Sequence, residues 1–525
     1  MPLDCEAILP GLWKLTDPAR SINSYLLRTD RGSILIDPTR AVTPQIVAET
    51  GAAPVCAIVS THLQREHVEG CYNFEGVPVH IPAGDEYLCE GEEAYRKHIT
   101  PWPPPWAWET RGNYLGHVAG AANERPLPRP VRLAAALSEG QTIASLEVLS
   151  TPGHGKHAVT LITKLGGKTV GFCGDTIYGD GQLWNFYDAD WDYGAGAGYR
   201  ALAASLLRLK ERGCDLLLPA HGPVIDRPGE SIALLVRRLE ELRAEQPVPD
   251  DARPIDAPAE PLADAPGWFK LLPHLYQWRD NAGNANLIVS KSGHGLLIDD
   301  GLCQWVDLDE RARRHTQAMN DIKRVAGVSK IEVVIPTHYH GDHVENIPEI
   351  VASDGTKVVS LDIVADRIEF PERYNLCCPL PWYGTRYDRV RVDERLQAGE
   401  TFHWREYAFE IFLLAGQTYF HAGSVATIDG RRVLFSGDSL GGTQCEPVLC
   451  YNDNEPEHRG WAYAVERMIE HNPDLIVNGH GSAIVRPMPL LRHRRAIWAK
   501  QLERYRALCP RPSLREFFDP FIQEN

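Results

Sequence analysis

Long apolar runs are missing from this 525-residue chain. No uninterrupted stretch approaches the roughly 18 residues that a membrane-spanning helix needs, so no membrane partner is expected. Basic charge is also scarce: 54 Lys and Arg face 70 Asp and Glu, a net charge of −16. That balance argues against non-specific attraction to phosphate backbones, and no nucleic-acid partner is expected. The 12 cysteines are few for the length and contain no CxxC pair, which excludes a disulfide framework. The opening residues MPLDCEAILPGLWKL carry Asp4 and Glu6 where a secretory leader carries positive charge before an apolar run. Reduced thiols without such a leader point to a cytoplasmic protein. A serine nucleophile on its elbow and a phosphate-cradling GxxxxGK[ST] loop are both lacking, so neither route to chemistry is open. What remains is a globular composition, 43% hydrophobic and 24% charged, in a chain long enough for two or more cores.

The chain states one pattern twice. LPGLW (9–13) has its counterpart in LPHLY (272–276), and ILID (34–37) in LLID (296–299). APVCAIVSTH, ending at His62, answers IEVVIPTH, ending at His338. GDT (174–176) matches GDS (437–439), and DLLLPAHG (215–222) matches DLIVNGHG (474–481). Order and spacing agree, which is the mark of an internal repeat. Between the halves runs PVPDDARPIDAPAEPLADAPG (247–267), by composition a linker. The expected organisation is one domain at 1–246, another at 268–508, and a tail at 509–525. Short β-branched runs open each half, and stretches with apolar residues at three and four spacing, such as 199–213 and 230–245, follow. Strands mixed with helices predict a layered α/β or α+β fold, repeated.

The sharpest local feature is THYHGDH (337–343), directly after the apolar VVIP. It sets His338, His340, Asp342 and His343 within six residues. Imidazole and carboxylate are the donors a zinc-like ion prefers, at roughly 2.0–2.2 Å. Histidines at i and i+2 leave one side of an extended segment, and the Asp-His pair turns onto the next element, so the cluster suits two adjacent ions.

The HxHxDH signature, followed by GD[ST] and HG motifs that each close a strand-like run, resembles the metallo-β-lactamase superfamily. The resemblance covers both halves and implies an αββα sandwich present twice, with metals at one edge. Carried over to this sequence, it implies that His338 and His340 bind a first metal and that Asp342, His343 and His480 bind a second. Asp438 then bridges the two. The third ligand of the first metal is normally a histidine in a [ST]PGH loop; here the stretch is LAGQTYFHAG, and Gln417 stands in its place. An amide oxygen is a poorer zinc ligand than imidazole. His421, four residues on, is expected either behind the ligands or as the substitute.

The first half departs elsewhere. THLQREH (61–67) keeps His62 and His67 but has Gln64 and Glu66 at the second histidine and the aspartate. His154, in STPGH, survives, as do Asp175 and His221. Two readings stay open: Glu66, His67, Asp175 and His221 hold one ion, with His62 and His154 nearby, or the set is a relic in a domain kept for packing.

The implied chemistry is hydrolysis by metal-activated water, with the second half catalytic and Asp342 orienting the nucleophile or taking its proton. Zinc is the expected metal, as one or two ions, with manganese and iron as alternatives. The expected substrate is a small ester, thioester, lactone or amide. A phosphodiesterase or nuclease and a non-catalytic binding descendant are the other readings. Aromatic, Pro-rich insertions at 100–114 and 377–390 are candidate pocket walls, Trp382 and Tyr383 among them. Cys377 and Cys378 read as buried thiols. A homo-oligomer is compatible with all of this.

Overall fold

The structure, a computed structural model, describes residues 3–91, 93–94, 127–184, 189, 197–244, 246–301, 307–373, 380, 386–440, 445–446 and 460–509. These fall into two compact units. One gathers the described residues up to 243 together with 504–509, the other those from 244 to 503.

The first unit is built on two sheets. One runs in sequence order from Asp4–Leu9 through Leu12–Asp17, Ile22–Thr29, Gly32–Ile36, Val55–Val59 and Val79–Pro82 to Leu133–Leu137. Its first four strands are antiparallel, and from Gly32–Ile36 onward neighbours are parallel. The other sheet orders Leu216–Pro219, Lys168–Gly174, Val159–Leu165, Leu146–Ser150 and Thr142–Ile143. Side chains alternate across a strand, and the first sheet uses both faces. Leu27, Ile34 and Ile36 meet Val148, Leu161, Phe172 and Leu218 of the second sheet in one core. Leu26, Leu35 and Ile58 pack on the opposite side with Val47 of the helix Pro44–Glu49 and with Val68 and Cys71. Strands buried on both faces read as continuous apolar runs, which SILI and CAIV are.

The second unit repeats this order and these directions. Its larger sheet runs Glu260–Pro261, Trp268–Leu272, Leu275–Trp278, Ala285–Val289, His294–Ile298, Lys330–Ile335, Lys357–Leu361, Glu394–Leu396. Parallel pairing again starts at the strand ending in the ILID-type motif. The crossover there is the helix Leu308–Ala326, started by the Asp307 carboxylate, which accepts from the Asp309 and Glu310 amides, and stopped by Gly327 at φ 69°. The smaller sheet orders Ile255–Asp256, Ile484–Val485, Leu475–Asn478, Arg431–Gly437, Ala422–Ile428, Tyr407–Leu413, Thr401–Trp404. Phe412, Leu414, Leu434 and Ile476 on its outer face bury Ala464 and Met468 of Trp461–His471 and Leu490 and Leu491 of Met488–Leu508.

Residues 247–267 correct the reading from composition. They do not run free as a linker. Ile255–Asp256 pairs with Ile484–Val485, and Glu260–Pro261 with Phe269 and Lys270. Val248 and Ala252 enter the second unit's core. Short polar edge strands carry little periodic signal, and their partners lie far along the chain. Cys5, Cys56, Cys71, Cys89, Cys173 and Cys214 are free thiols. Among the described residues no helix is long and apolar enough to cross a membrane.

Candidate metal centres

In each unit the histidine and aspartate motifs leave the carboxyl ends of strands at one edge of the sheets, where a parallel arrangement exposes loops for ligands. In the second unit Lys330–Ile335 delivers Thr337 and His338, Arg431–Gly437 delivers Asp438, and Leu475–Asn478 delivers His480.

Asp299, at the end of His294–Ile298, organises the first of these loops. Its carboxylate accepts the Thr337 backbone N–H at 2.7 Å and the Thr337 hydroxyl at 2.9 Å. It also lies 3.0 Å from His343 Nδ1. The carboxylate can only accept, so Nδ1 of His343 keeps its proton; against burial, Asp438 and Asp342 raise the ring well above the ordinary histidine range, and it is Nε2 that would give up its proton and present a lone pair to a metal ion. The Thr337 hydroxyl, having donated to Asp299, accepts from His338 Nδ1 at 3.0 Å, which leaves His338 Nε2 as a lone pair. Both Nε2 atoms are buried without a hydrogen-bond partner. Two oriented, desolvated imidazole nitrogens are what a metal ion recruits.

Two carboxylates complete the centre. Asp438 Oδ1 lies 3.3 Å from His343 Nε2, and its Oδ2 lies 3.1 Å from His480 and 3.9 Å from His338. Asp342 Oδ2 lies 3.7 Å from His343 and 3.5 Å from His480. The ligand atoms of His338, His343 and Asp438 lie within 4.8 Å of one another, as do those of Asp342, His343 and His480. His340 is buried beside them, its ring 4.5 Å from that of His338. Gly479 approaches so closely that a Cβ there would fall 2.2 Å from Asp438 Oδ1. The centre opens at one corner, where His480 keeps 48% of its side chain exposed.

Gln417 reaches the same space, its amide nitrogen donating to Asp438 Oδ2 at 2.9 Å. His421 does not. Its Nε2 accepts the Asp438 backbone N–H at 3.2 Å, and its ring stacks on His338 at 4.6 Å. It stands behind the ligands.

Burial and mutual charge set the titration of the group. Burial, with the neighbouring imidazoles, pushes His338 well below the ordinary histidine range; burial takes His340 down to about 4 and His421 to about 3. For His480 burial works against the charged form, but Asp438 and Asp342 outweigh it and raise it to about 9.

In the first unit the histidines gather around Asp175. Asp175 Oδ2 lies 3.5 Å from His67 Nε2, 3.5 Å from His154 Nε2 and 3.7 Å from His62 Nε2. His221 Nδ1 lies 2.9 Å from both Asp175 oxygens. Asp37 and Thr61 repeat the Asp299 and Thr337 arrangement, at 2.7 and 2.8 Å, and Thr61 again holds His62 Nδ1 at 3.0 Å. Glu66 acts on His67 and His221 through its charge.

The structure thus brings together His338, Asp342, His343, Gln417, Asp438 and His480, with His340 adjoining, and separately His62, His67, His154, Asp175 and His221. Trp382 and Tyr383 lie outside the described residues, as do Cys377 and Cys378. Sequence reasoning passed over Asp299 and Asp37. Their signal was present: both close the repeated [IL]LID run.

The sequence profile of the metallo-beta-lactamase superfamily matches residues 278–480. Those residues form a metallo-β-lactamase superfamily domain, with the α+β fold of that superfamily. Among solved structures the chain is similar to a metallo-beta-lactamase from Cronobacter sakazakii, a HARLDQ-motif mutant. The identity is 18% over 46% of this chain and 98% of that one, with a TM-score of 0.34. It is also similar to a subclass B3 enzyme of Bradyrhizobium japonicum, at 17% over 47% and 96%, TM-score 0.33. A class B3 di-zinc enzyme from an Alaskan soil metagenome matches at 16% over 48% and 98%, TM-score 0.33. No curated protein matches the chain. Superfamily membership of this domain suggests metal-dependent hydrolysis, and its His and Asp groups suit a metal ion.

Proposed function

We propose that the second unit is a metallo-hydrolase acting on a small ester, thioester, lactone or amide. The observation that carries the reading is the pair of buried Nε2 atoms, on His338 and His343, without hydrogen-bond partners and facing two converging carboxylates at a corner open to solvent. His338, His340 and Gln417 would hold one ion, Asp342, His343 and His480 another, with Asp438 shared. Zinc fits the imidazole and carboxylate donors best, with manganese and iron as alternatives. Such an ion supplies water activation at neutral pH and polarises the oxygen under attack. Asp342, with 14% of its side chain exposed beside His480, orients the attacking water and receives its proton. Asp438 fixes the spacing of the donor sets, and His421 fixes Asp438 by holding its backbone amide.

The partner is a small molecule. The net charge of −16 speaks against a nucleic-acid substrate. The matched strand orders, the paired Asp-Thr-His arrangements and the shared motif order support reading the first unit as a second copy of the same fold whose metal motif has changed. The test is metal analysis of chelator-free protein, followed by a screen of acyl against phosphodiester substrates. Metal at the second unit with acyl hydrolysis abolished by Asp342→Ala supports the proposal. Metal-free protein that still turns substrate over ends it.

A further inference from the structure

We propose that Arg311, Glu345, Asp300 and His315 are positioning residues, a buried clamp that fixes Asp342 in the second centre; the inference rests on reading that centre as a hydrolase. Asp342 lies on a helix of four residues, Gly341–Val344, and 14% of its side chain meets solvent. So short a helix does not hold its own shape. A water is oriented for attack only if the group that holds it is fixed, since a misplacement of about 1 Å costs roughly 100-fold in rate.

The segment 299–301 does the holding. The Asp300 backbone N–H donates to the His343 carbonyl at 3.0 Å, and the Asp300 carbonyl accepts from the Asn346 N–H at 2.9 Å. The Asn346 side-chain amide donates to the Gly301 carbonyl. A Cβ on Gly301 would fall 1.5 Å from the Asp342 carbonyl oxygen, so the two stretches of backbone touch and only glycine fits.

Two buried pairs brace this joint from the helix Leu308–Ala326. His315 Nε2 lies 3.0 and 3.1 Å from the two carboxylate oxygens of Asp300. One turn earlier, on the same face, Arg311 Nη1 donates to Glu345 Oε1 at 2.8 Å. All four side chains are at most 6% exposed. Taking ions out of water is costly enough that a buried pair adds little stability over apolar packing. Stability therefore does not account for four such groups on one joint, and the joint carries Asp342.

The repeat supports the assignment. THYHGDHVEN (337–346) aligns with THLQREHVEG (61–70), and LLIDD (296–300) with ILIDP (34–38). The first unit keeps the backbone bond, Gly70 N to Pro38 O at 3.0 Å, and with it the path of the loop. Its described residues do not build the clamp. Pro38 stands for Asp300 and has no N–H to give. The crossover helix there, Pro44–Glu49, carries no basic residue. Glu69, the counterpart of Glu345, pairs with Arg65 at 3.8 Å instead. The clamp thus goes with the unit whose motif aspartate is Asp342, and not with the one that has Glu66 at that position.

The test is an affinity cycle on the full chain, read by competition for Co²⁺ with a chromophoric chelator. The equivalents that His343→Ala abolishes are assigned to the second unit. Arg311→Met with Glu345→Met puts apolar side chains in place of the pair, and the melting temperature should stay within a few degrees of wild type. Co²⁺ affinity at the second unit should nevertheless fall about 10-fold. In an Asp342→Ala background the same pair should cost nothing further, because the clamp then has nothing to position and His343 keeps its own anchor in Asp299. On an acyl substrate kcat should fall about 100-fold with KM unchanged. If the pair does not fold, Arg311→Lys, which keeps the charge but not the fork, should show a smaller loss of affinity that likewise vanishes with Asp342→Ala. Wild-type affinity in both variants, or an equal further loss on top of Asp342→Ala, would overturn the proposal and leave the four residues as packing. A wild-type chain that hydrolyses no acyl substrate would end the hydrolase reading, while the Co²⁺ cycle still decides on the clamp.

Discussion

Replacing Asp299 by Asn should disarm the second centre without touching a ligand. The Thr337 backbone N–H, 2.7 Å from Oδ1 of Asp299, cannot turn away, so the asparagine must set its oxygen there. Its amide NH₂ then faces the two groups that Oδ2 now serves, the Thr337 hydroxyl and His343 Nδ1. A donor replaces an acceptor at both. A neutral His343 must then keep its proton on Nε2, the atom that points at Asp342 and Asp438. The Thr337 hydroxyl turns to donate to His338 Nδ1, with the same result for His338. Two nitrogens that would face the metal stay N–H groups. Losing one oriented partner behind a ligand costs 10- to 100-fold in metal affinity, so reversing two should cost about 100-fold or more, ~2.7 kcal/mol. Metal-free stability should fall by only about 1–2 kcal/mol, because the asparagine keeps the backbone contact. Competition with a chromophoric chelator measures the affinity, and ¹⁵N chemical shifts of the imidazoles report the tautomer. Wild-type affinity in Asp299→Asn, with Nδ1 still protonated on His343, would refute the argument. Asp37→Asn is the control: Asp37 holds Thr61 in the same way, so it should weaken His62 as a ligand and leave hydrolysis by the second unit intact.

Gln417→His should raise the affinity of the weaker ion in the second unit by about 10-fold. The loop has the same anchors as that of His154, since Leu414 N to His421 O and Ala422 N to Thr337 O repeat Thr151 N to Ala158 O and Val159 N to Thr61 O; unchanged two-site titration curves would count against it. Asp342→Ala should abolish turnover with little loss of folding, whereas His67→Ala should leave most of the rate; equal loss from both would place catalysis in both units or in the other one. His421→Ala removes the acceptor of the Asp438 amide and the ring beneath His338, so metal affinity should fall about 10-fold, and an unaffected affinity would make His421 mere packing. Stripping metal with a chelator should lower the melting temperature measurably, since the buried donors lose the ion that compensates their desolvation; an unchanged transition would argue that neither centre holds metal in the purified protein.

Residue order alone carried a good part of this molecule. Ligand chemistry admits few residue types, so THYHGDH, GDS and the late HG announce themselves wherever a strand delivers them, and the same motifs at 61–67, 174–176 and 221–222 mark the repeat. Buried strands also declare themselves, because both faces of SILI or CAIV must be apolar. Tertiary structure decided the rest. Residues 247–267 look like a linker until Ile255 finds Val485, a partner 230 positions away that no local pattern encodes. Gln417 and His421 are four residues apart, and the sequence, which sets Gln417 in the ligand's place, leaves open whether His421 stands behind the ligands or substitutes for one. Only the antiparallel bridge of His421 with His338 turns one ring behind Asp438 and leaves the amide in front. The tautomers of His338 and His343 are likewise set by Asp299, nearly 40 residues or more upstream of each, because a proton's position on an imidazole depends on what its other nitrogen meets in space.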